Sequence, residues 1–541
     1  MRPVVTTLLD DPPRNPPRPA EAGRGPFTVR VEESALDPHH PLDLYAELAG
    51  SHEGAAHEVF VLESVPGPGQ SPGATVVGHG VLAEIRVHGD RIALGGAPAV
   101  LAALTESAGR LGIGTLPGGE LALRDSAQVW DVLRAAQGLF AVETGRPLDT
   151  YAFGFLATFG YGSAWHMEEL PARRRAPGAE AEPDMVLSLF RDTLWYGPGV
   201  TGPDSTGPGT TGPGATTVRR LTAHSDAFGP APDRDPVGAA VAAVTSREGS
   251  LIAADVPAAP RPRSVRDSSD EATFLRRVDR CLEHIGVGDI YQIQIGHRID
   301  VDTGLGPFEV YRRLRHRNPS PYMYLLPRGG RTVIGASPEV LFRTEGDEVV
   351  MRPIAGTAPR SGRPETDDPR VDALVASEKE RAEHVMLVDL CRNDVGRVSV
   401  PGSLEATGLM TVETFSHVFH LVSTVRGTLA EGHDTWSVLG ATFPAGTVTG
   451  APKIRAMEII EELETEPRGM YAGAVGLIDL RGWSQLALCI RTIVHDGRTG
   501  TYSTQSCAGI VADSSPEAEW RETLHKMGAA YWALTGEELL S

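Results

Sequence analysis

The stretch DIYQIQIGHRIDV, Asp289–Val301, decides the fold class. It reads as a strand and follows directly on SSDEATFLRRVDRCLEHIGVG, which reads as a helix. In that helix Ser269 is the expected N-cap, Phe274, Val278, Leu282 and Ile285 form one stripe, and Gly286 is the expected stop. Further strands are expected in TVIGASPEVLFRT, EVVMRPIAGT and YAGAVGLIDL. Helices are expected in SEKERAEHVMLVDLCRND, APKIRAMEIIEELE and SPEAEWRETLHKMGAAYWAL. Neighbouring strands often lack a helix between them, so the sheet is expected to be antiparallel and the class α+β.

Outward from this region the character changes. Residues 1–25 are rich in Pro and Arg and are expected to be a disordered tail. Residues 26–195 alternate strand-like runs (FTVRVEE, HEVFVLESV) with helix-like ones (DSAQVWDVLRAAQGLF) and read as a smaller N-terminal α+β region with a regulatory look. Residues 196–265 carry a Thr-Gly-Pro near-repeat and the Pro/Ala-rich VPAAPRPRS, and read as a flexible insertion and linker. Residues 266–541 are the expected catalytic region.

With 541 residues there is ample chain for substantial cores. A net charge of −20 argues against a nucleic-acid surface and requires any anion site to be built locally. Four scattered cysteines (Cys281, Cys391, Cys489, Cys507), no signal core and no long apolar run fit a reduced, cytoplasmic protein away from the membrane. Lysines occur only at 379, 453 and 526, so few groups could do lysine chemistry.

Several constellations could carry chemistry. The stretch GTVTGAPK, Gly446–Lys453, resembles a phosphate loop, and Pro452 fits a first helical turn. Ala451 and Pro452 nevertheless separate the second glycine from the lysine, so a carboxylate or hydroxyl ligand suits the loop better than a nucleotide. Glu380 with Glu383, and Glu519 with Glu522, are carboxylate pairs three residues apart on separate helices. They could be solvated faces, and Ser377 with Glu380 could be a capping box. They could equally converge on one Mg²⁺. His420 lies in an apolar strand-like run and is either a core histidine or a base. Arg491, inside the apolar run LALCIRTIV that reads as a strand, needs a carboxylate or an anionic ligand to offset its burial.

Together these segments resemble the chorismate-utilising enzymes, closest to the anthranilate synthase large subunit. The resemblance rests on GDIYQ, NPSPYMYLL, GASPE, RPIAGT, ERAEHVMLVDLCRNDVGRV, FPAGTVTGAPKIRAMEII, YAGAVG, CIRT and AGIVADSSPEAEWRET, in order. It implies a large antiparallel β-sandwich layered with helices. By motif it makes Glu383 and Glu522 ligands of Mg²⁺, with Glu380 and Glu519 beside the metal. Arg491 and Tyr471 would hold the enolpyruvyl carboxylate with backbone near Gly509. Gly356, His420, Thr447 and Lys526 would surround the ring. Glu339 would be the acid for the leaving 4-hydroxyl, and His420 the base for the C2 proton. VLESV (Glu63, Ser64) and NPSPYM (Pro321, Tyr322, Met323) resemble a binding site for feedback tryptophan.

Within that family, relatives that add water carry a lysine where this chain has Gln292, and a nucleophilic lysine elsewhere is replaced by Ala355. Ammonia is therefore the expected nucleophile at C2. It would be supplied by a separate glutamine amidotransferase subunit, since no G-x-C-x-G turn occurs. The first expectation is a lyase of tryptophan biosynthesis that converts chorismate and ammonia to anthranilate and pyruvate. Three departures stand out: QSCAG with Cys507 in place of a glycine, GHR at 296–298, and the missing lysine after VLESV. They leave room for a 2-amino-2-deoxyisochorismate synthase of secondary metabolism that retains the pyruvate. A catalytically silent amino-acid-binding scaffold is the reading from another class.

Overall fold

The computed structural model describes residues 26–51, 54–65, 73–171, 182–197, 218–230, 232–247, 249–252, 255–415 and 418–540. The opening stretch forms the strand Gln292–Asp302, which pairs antiparallel with Thr501–Ile510 from Ile293↔Ile510 to Asp302↔Thr501. The helix before it runs Glu271–Gly286. Its N-cap is Asp270, whose carboxylate accepts from the Thr273 N–H, and not Ser269. Phe274, Val278 and Cys281 of that helix pack with Ile293, Ile295, Ala508 and Ile510 into one buried cluster. Each large apolar side chain so buried contributes about 1.5–3 kcal/mol.

From there hydrogen bonding passes from strand to strand. Thr501–Ile510 pairs with Thr492–Asp496, then Arg331–Ser337, Tyr322–Arg328, Val59–Glu63 and Thr75–His88. The path continues through Met185–Tyr196, Gly154–Phe159, Ala474–Asp479, Ser484–Leu488 and Val340–Glu345. It ends through Glu348–Met351 at Val418–Thr428, flanked by Ile354–Pro359 and Glu405–Thr414. Every one of these pairings is antiparallel, and the result is an antiparallel β-sandwich layered with helices, as expected. Phe27–Leu36 beside Phe140–Glu143 adds a parallel pair.

Strands from 26–195 and 266–541 are thus neighbours in the same sheet. The stretch 196–265, expected to be a linker, contains the strand Val218–His224 and the helix Pro236–Ser246. Val218, Leu221, Val237 and Val241 are buried there, which a linker reading missed. The Thr-Gly-Pro run from 198 to 217 and the tail 1–25 lie outside the described residues. No helix among the described residues is long and apolar enough to cross a membrane.

Three runs expected to be single strands are broken: EVVMRPIAGT divides into Glu348–Met351 and Ile354–Pro359, and the other two break at neighbouring points. TVIGASPEVLFRT splits into Arg331–Ser337 and Val340–Glu345. LALCIRTIV splits between Ser484–Leu488 and Thr492–Asp496. Both breaks occur where the chain leaves one stretch of the sheet path for another, and they lie side by side. The Leu488 N–H donates to Glu339 O (3.0 Å), and the Ala336 N–H to Arg491 O (3.2 Å). Glu339 and Arg491 therefore sit at a paired crossover.

Candidate active site

The crossover sets the local backbone. Arg491 has φ 53° and Ala472, next to Tyr471, has φ 61°, both in the left-handed region that non-glycine residues rarely occupy. Such positions cost about 1–3 kcal/mol and cluster at functional sites. Arg491 is thus on a bend and not inside a strand, as its apolar flanks suggested. Its Nη1 donates to Lys526 O (3.1 Å), and burial pulls its guanidinium below the usual range. A charge so placed favours an anionic partner.

Glu339, also at the break, is buried, and burial pushes its carboxyl up to about 8. The group is a neutral acid at pH 7. The Thr447 hydroxyl donates to Glu339 Oε1 at 3.2 Å. Thr447 is on the short helix Gly446–Thr449, and Gly450–Ala451 then pairs with Gln292–Ile293. The amides of GTVTGAPK are therefore drawn into regular structure, with Pro452 as N-cap rather than first-turn residue. Lys453 Nζ pairs with the buried Asp394 carboxylate (3.3 Å) and serves the fold instead of a ligand.

His420 sits on Val418–Thr428, opposite Thr357. Its Nδ1 faces Gly356 O at 3.0 Å, which makes Nδ1 the protonated nitrogen and leaves Nε2 with a lone pair. Burial lowers its pKa to about 4. Gly356 has φ +68°, and an added Cβ would stand 3.3 Å from Glu380 Oε2. The conformation and the closeness of that carboxylate both call for glycine. Ala355, paired with Leu421, is buried beside it.

Glu380 and Glu383 are on the helix Glu378–Gly396, where the Ser377 hydroxyl accepts from the Glu380 N–H as the cap. Glu519 and Glu522 are on Pro516–Thr535. The two helices face one another through these groups. Burial, then Glu380 and Glu522, raises the Glu383 carboxyl; burial, with Glu522 adding, raises Glu519. Glu519 Oε2 is buried without a hydrogen-bond partner. Crowded, raised carboxylates and an orphaned oxygen fit a hard divalent cation. Among the described residues no group of three His, Cys, Asp or Glu is drawn together around a metal position. Lys526 pairs with Glu522 (2.5 Å) and donates to Cys507 O (3.0 Å).

Residues 99–531 match the family model described as chorismate binding enzyme. The chain belongs to the chorismate binding enzyme family. It is 44% identical over 516 residues to the 2-amino-4-deoxychorismate synthase of Streptomyces globisporus, covering 95% of this chain and 98% of that protein. It is 50% identical over 322 residues to anthranilate synthase component 1 of Streptomyces coelicolor, covering 57% of this chain and 62% of that protein. Among solved structures, anthranilate synthase component I from Streptococcus pneumoniae superimposes with a TM-score of 0.65 at 28% identity, over 84% of this chain and 92% of that one.

In this chorismate binding enzyme, motif reading singled out Gln292 but passed over Gln294 beside it. Gln292 is almost fully buried, with neither amide atom partnered. Gln294 projects from the same face, and a Cβ on Gly509 would meet both amides, at 3.2 and 2.8 Å. The Gln-x-Gln spacing on a strand was the available signal. The Cys507 thiol donates to Gln294 Oε1 (3.0 Å) and contacts the Tyr471 hydroxyl (2.6 Å). Arg468 lies 5.7 Å from the Tyr471 ring centre and is itself held by Glu464.

A second feature of this chorismate binding enzyme is a cavity of about 760 Å³. Glu63, Ser64, Pro321, Tyr322 and Met323, expected around a feedback ligand, all line it. Glu63 does so with its carboxylate occupied. Arg315 donates to it twice (2.7 and 2.8 Å) and Tyr311 once (2.8 Å). Val340 and Arg352 line both this cavity and the crevice of Glu339 and Thr447. Phe415 lines the cavity and meets the His420 ring edge-on at 4.9 Å.

Proposed function

We propose that the protein aminates chorismate at C2 with ammonia, in a Mg²⁺-dependent reaction, and retains the enolpyruvyl ether. The product would be 2-amino-4-deoxychorismate, the aminated isochorismate of the second expectation. The observation that carries this is similarity along nearly the whole chain to the S. globisporus enzyme of that name, whereas anthranilate synthase similarity covers a shorter part. Loss of pyruvate, which would make the enzyme a lyase, becomes the minor reading.

The residues support the chemistry as follows. Arg491 and Lys526 offer cations to the substrate carboxylates, with Tyr471 and the Gly509 backbone beside them. Glu383 and Glu522, with Glu380 and Glu519, would hold the magnesium ion, which when bound offsets the charge of the ring carboxylate. Gln292 and Gln294 offer amides on the side where ammonia would arrive. As nitrogen bonds to C2, the two ring double bonds shift and the C4–O bond breaks. Glu339 delivers the proton that turns the departing hydroxide into water, and the nitrogen sheds one of its own. His420, with Nδ1–H held by Gly356 O and a lone pair on Nε2, is the group that would accept C2–H if the enolpyruvyl group were lost. A separate glutamine amidotransferase would supply ammonia, and free ammonium should replace it.

The test is a reaction with chorismate, Mg²⁺ and ammonium, followed by liquid chromatography and a pyruvate assay. An aminated diene without released pyruvate is expected. Stoichiometric pyruvate with a fluorescent aromatic product would restore the anthranilate reading. A protein that binds tryptophan and turns nothing over would be the scaffold. The large cavity is the place such a ligand would occupy.

A further inference from the structure

Cys507 stands at the centre of the expected substrate contacts. Its carbonyl accepts from Lys526, its thiol reaches Gln294 and Tyr471, and it lies two residues before Gly509 on the same strand. The side chain is buried. A thiol has one proton, and an amide oxygen can only accept, so that proton goes to Gln294 Oε1. The Tyr471 hydroxyl proton must then point at the sulfur. The Tyr471 ring has little freedom, because the Arg468 guanidinium lies against it and against Tyr161 (4.9 Å). What remains free is rotation of the O–H about its own bond.

We propose that Cys507 is a product-determining residue: by accepting a hydrogen bond from the Tyr471 hydroxyl it holds back loss of the enolpyruvyl group after amination. The proposal rests on the function given above, with Tyr471 beside the enolpyruvyl carboxylate. In the elimination that would follow, the C2–H proton passes to the Nε2 lone pair of His420. The C2–H electron pair becomes the new C2–C3 double bond, and the C3–O bond breaks with its pair on oxygen. The enolpyruvate so released takes a proton at its methylene carbon and becomes pyruvate. Negative charge grows on the leaving group, and a hydroxyl donor aimed there would stabilise it. Sulfur, a weak acceptor but a permanent neighbour, keeps that donor engaged. The same thiol fixes the Gln294 amide with its nitrogen towards Gly509, beside the unpartnered Gln292 amide. Cys507 thus orders the amination side while quieting the elimination side.

The experiment compares the pyruvate-to-diene ratio of the wild type with Cys507→Gly, Cys507→Ala and Cys507→Ser, given chorismate, Mg²⁺ and ammonium. Glycine and alanine should raise the ratio tenfold or more, and serine, which keeps a hydroxyl in place of the thiol, should not. Adding Tyr471→Phe to Cys507→Gly should return the ratio to the wild-type level. Thermal melts accompany each variant, and alanine decides if glycine does not fold. An unchanged ratio in folded Cys507→Ala, with wild type still forming the diene, overturns the role of Cys507 alone. Pyruvate released one-for-one by the wild type overturns the functional reading itself.

Discussion

A carboxyl that keeps its proton to about pH 8 is the residue-scale signature of this site. Because burial raises the folded value, Glu339 is a ready acid at pH 7, and the proton is lost as pH rises through about 8. Turnover should fall on that alkaline limb by tenfold per pH unit. Glu339→Gln should remove the limb and lower kcat roughly 10²- to 10⁴-fold, which a pH–rate profile with saturating chorismate would show. A limb that persists in the variant would assign it elsewhere. Glu339 and Arg491 stand out in the sequence because GASPE and CIRT are distinctive phrases. Their place at a crossover does not, since Val, Ile, Leu and Phe continue on both sides and the apolar pattern runs through the break. The left-handed backbone at Arg491 has no marker in the sequence at all, for nothing in arginine prefers it.

At the scale of elements, the helix Pro516–Thr535 carries Glu519 and Glu522, proposed to hold magnesium with Glu380 and Glu383, so its anchoring bears on the metal. One clamp is His297, in the GHR that departs from the family phrase. It is buried, with Nδ1 2.7 Å from Asp267 Oδ1 and Nε2 2.9 Å from the Thr523 hydroxyl. Its ring stacks on Trp520 at 4.6 Å. Thr523 Oγ1 donates to Trp520 O (2.7 Å) and so accepts from the histidine. His297→Ala should cost about 2–4 kcal/mol, from lost packing and two stranded partners. It should also raise the magnesium concentration needed for half-maximal activity more than it lowers kcat. Denaturant melts and magnesium titrations check both, and an unaltered metal requirement would confine His297 to stability. The helices were readable from their stripes and caps, Ser377 being the clearest. The linker reading of 196–265 failed because its Thr-Gly-Pro run overshadowed two short apolar segments that find partners only at long range.

For the whole molecule, the strands of the first 195 residues complete the sheet begun by the last 276. Alternation along a strand tells which side faces inward but not which strand lies beside it, so this sharing could not be read from either half. The join is reinforced by charge. Glu63, on Val59–Glu63, is fully buried against Arg315 of the helix Pro307–Arg317. Glu63→Gln leaves that guanidinium without its counter-charge and should destabilise the fold by about 3–5 kcal/mol, measured by denaturant unfolding. Loss of under 1 kcal/mol would mean that water or another acid takes over. The same join forms one side of the large cavity, whose far side is shared. Val340 and Arg352 separate it from the acid, and Phe415 from the histidine. The cavity and the narrow crevice beside Glu339 share this wall, so a shift in Val340 or Arg352 is felt on both sides. An occupant of the larger one could slow turnover without ever competing for the chorismate seat.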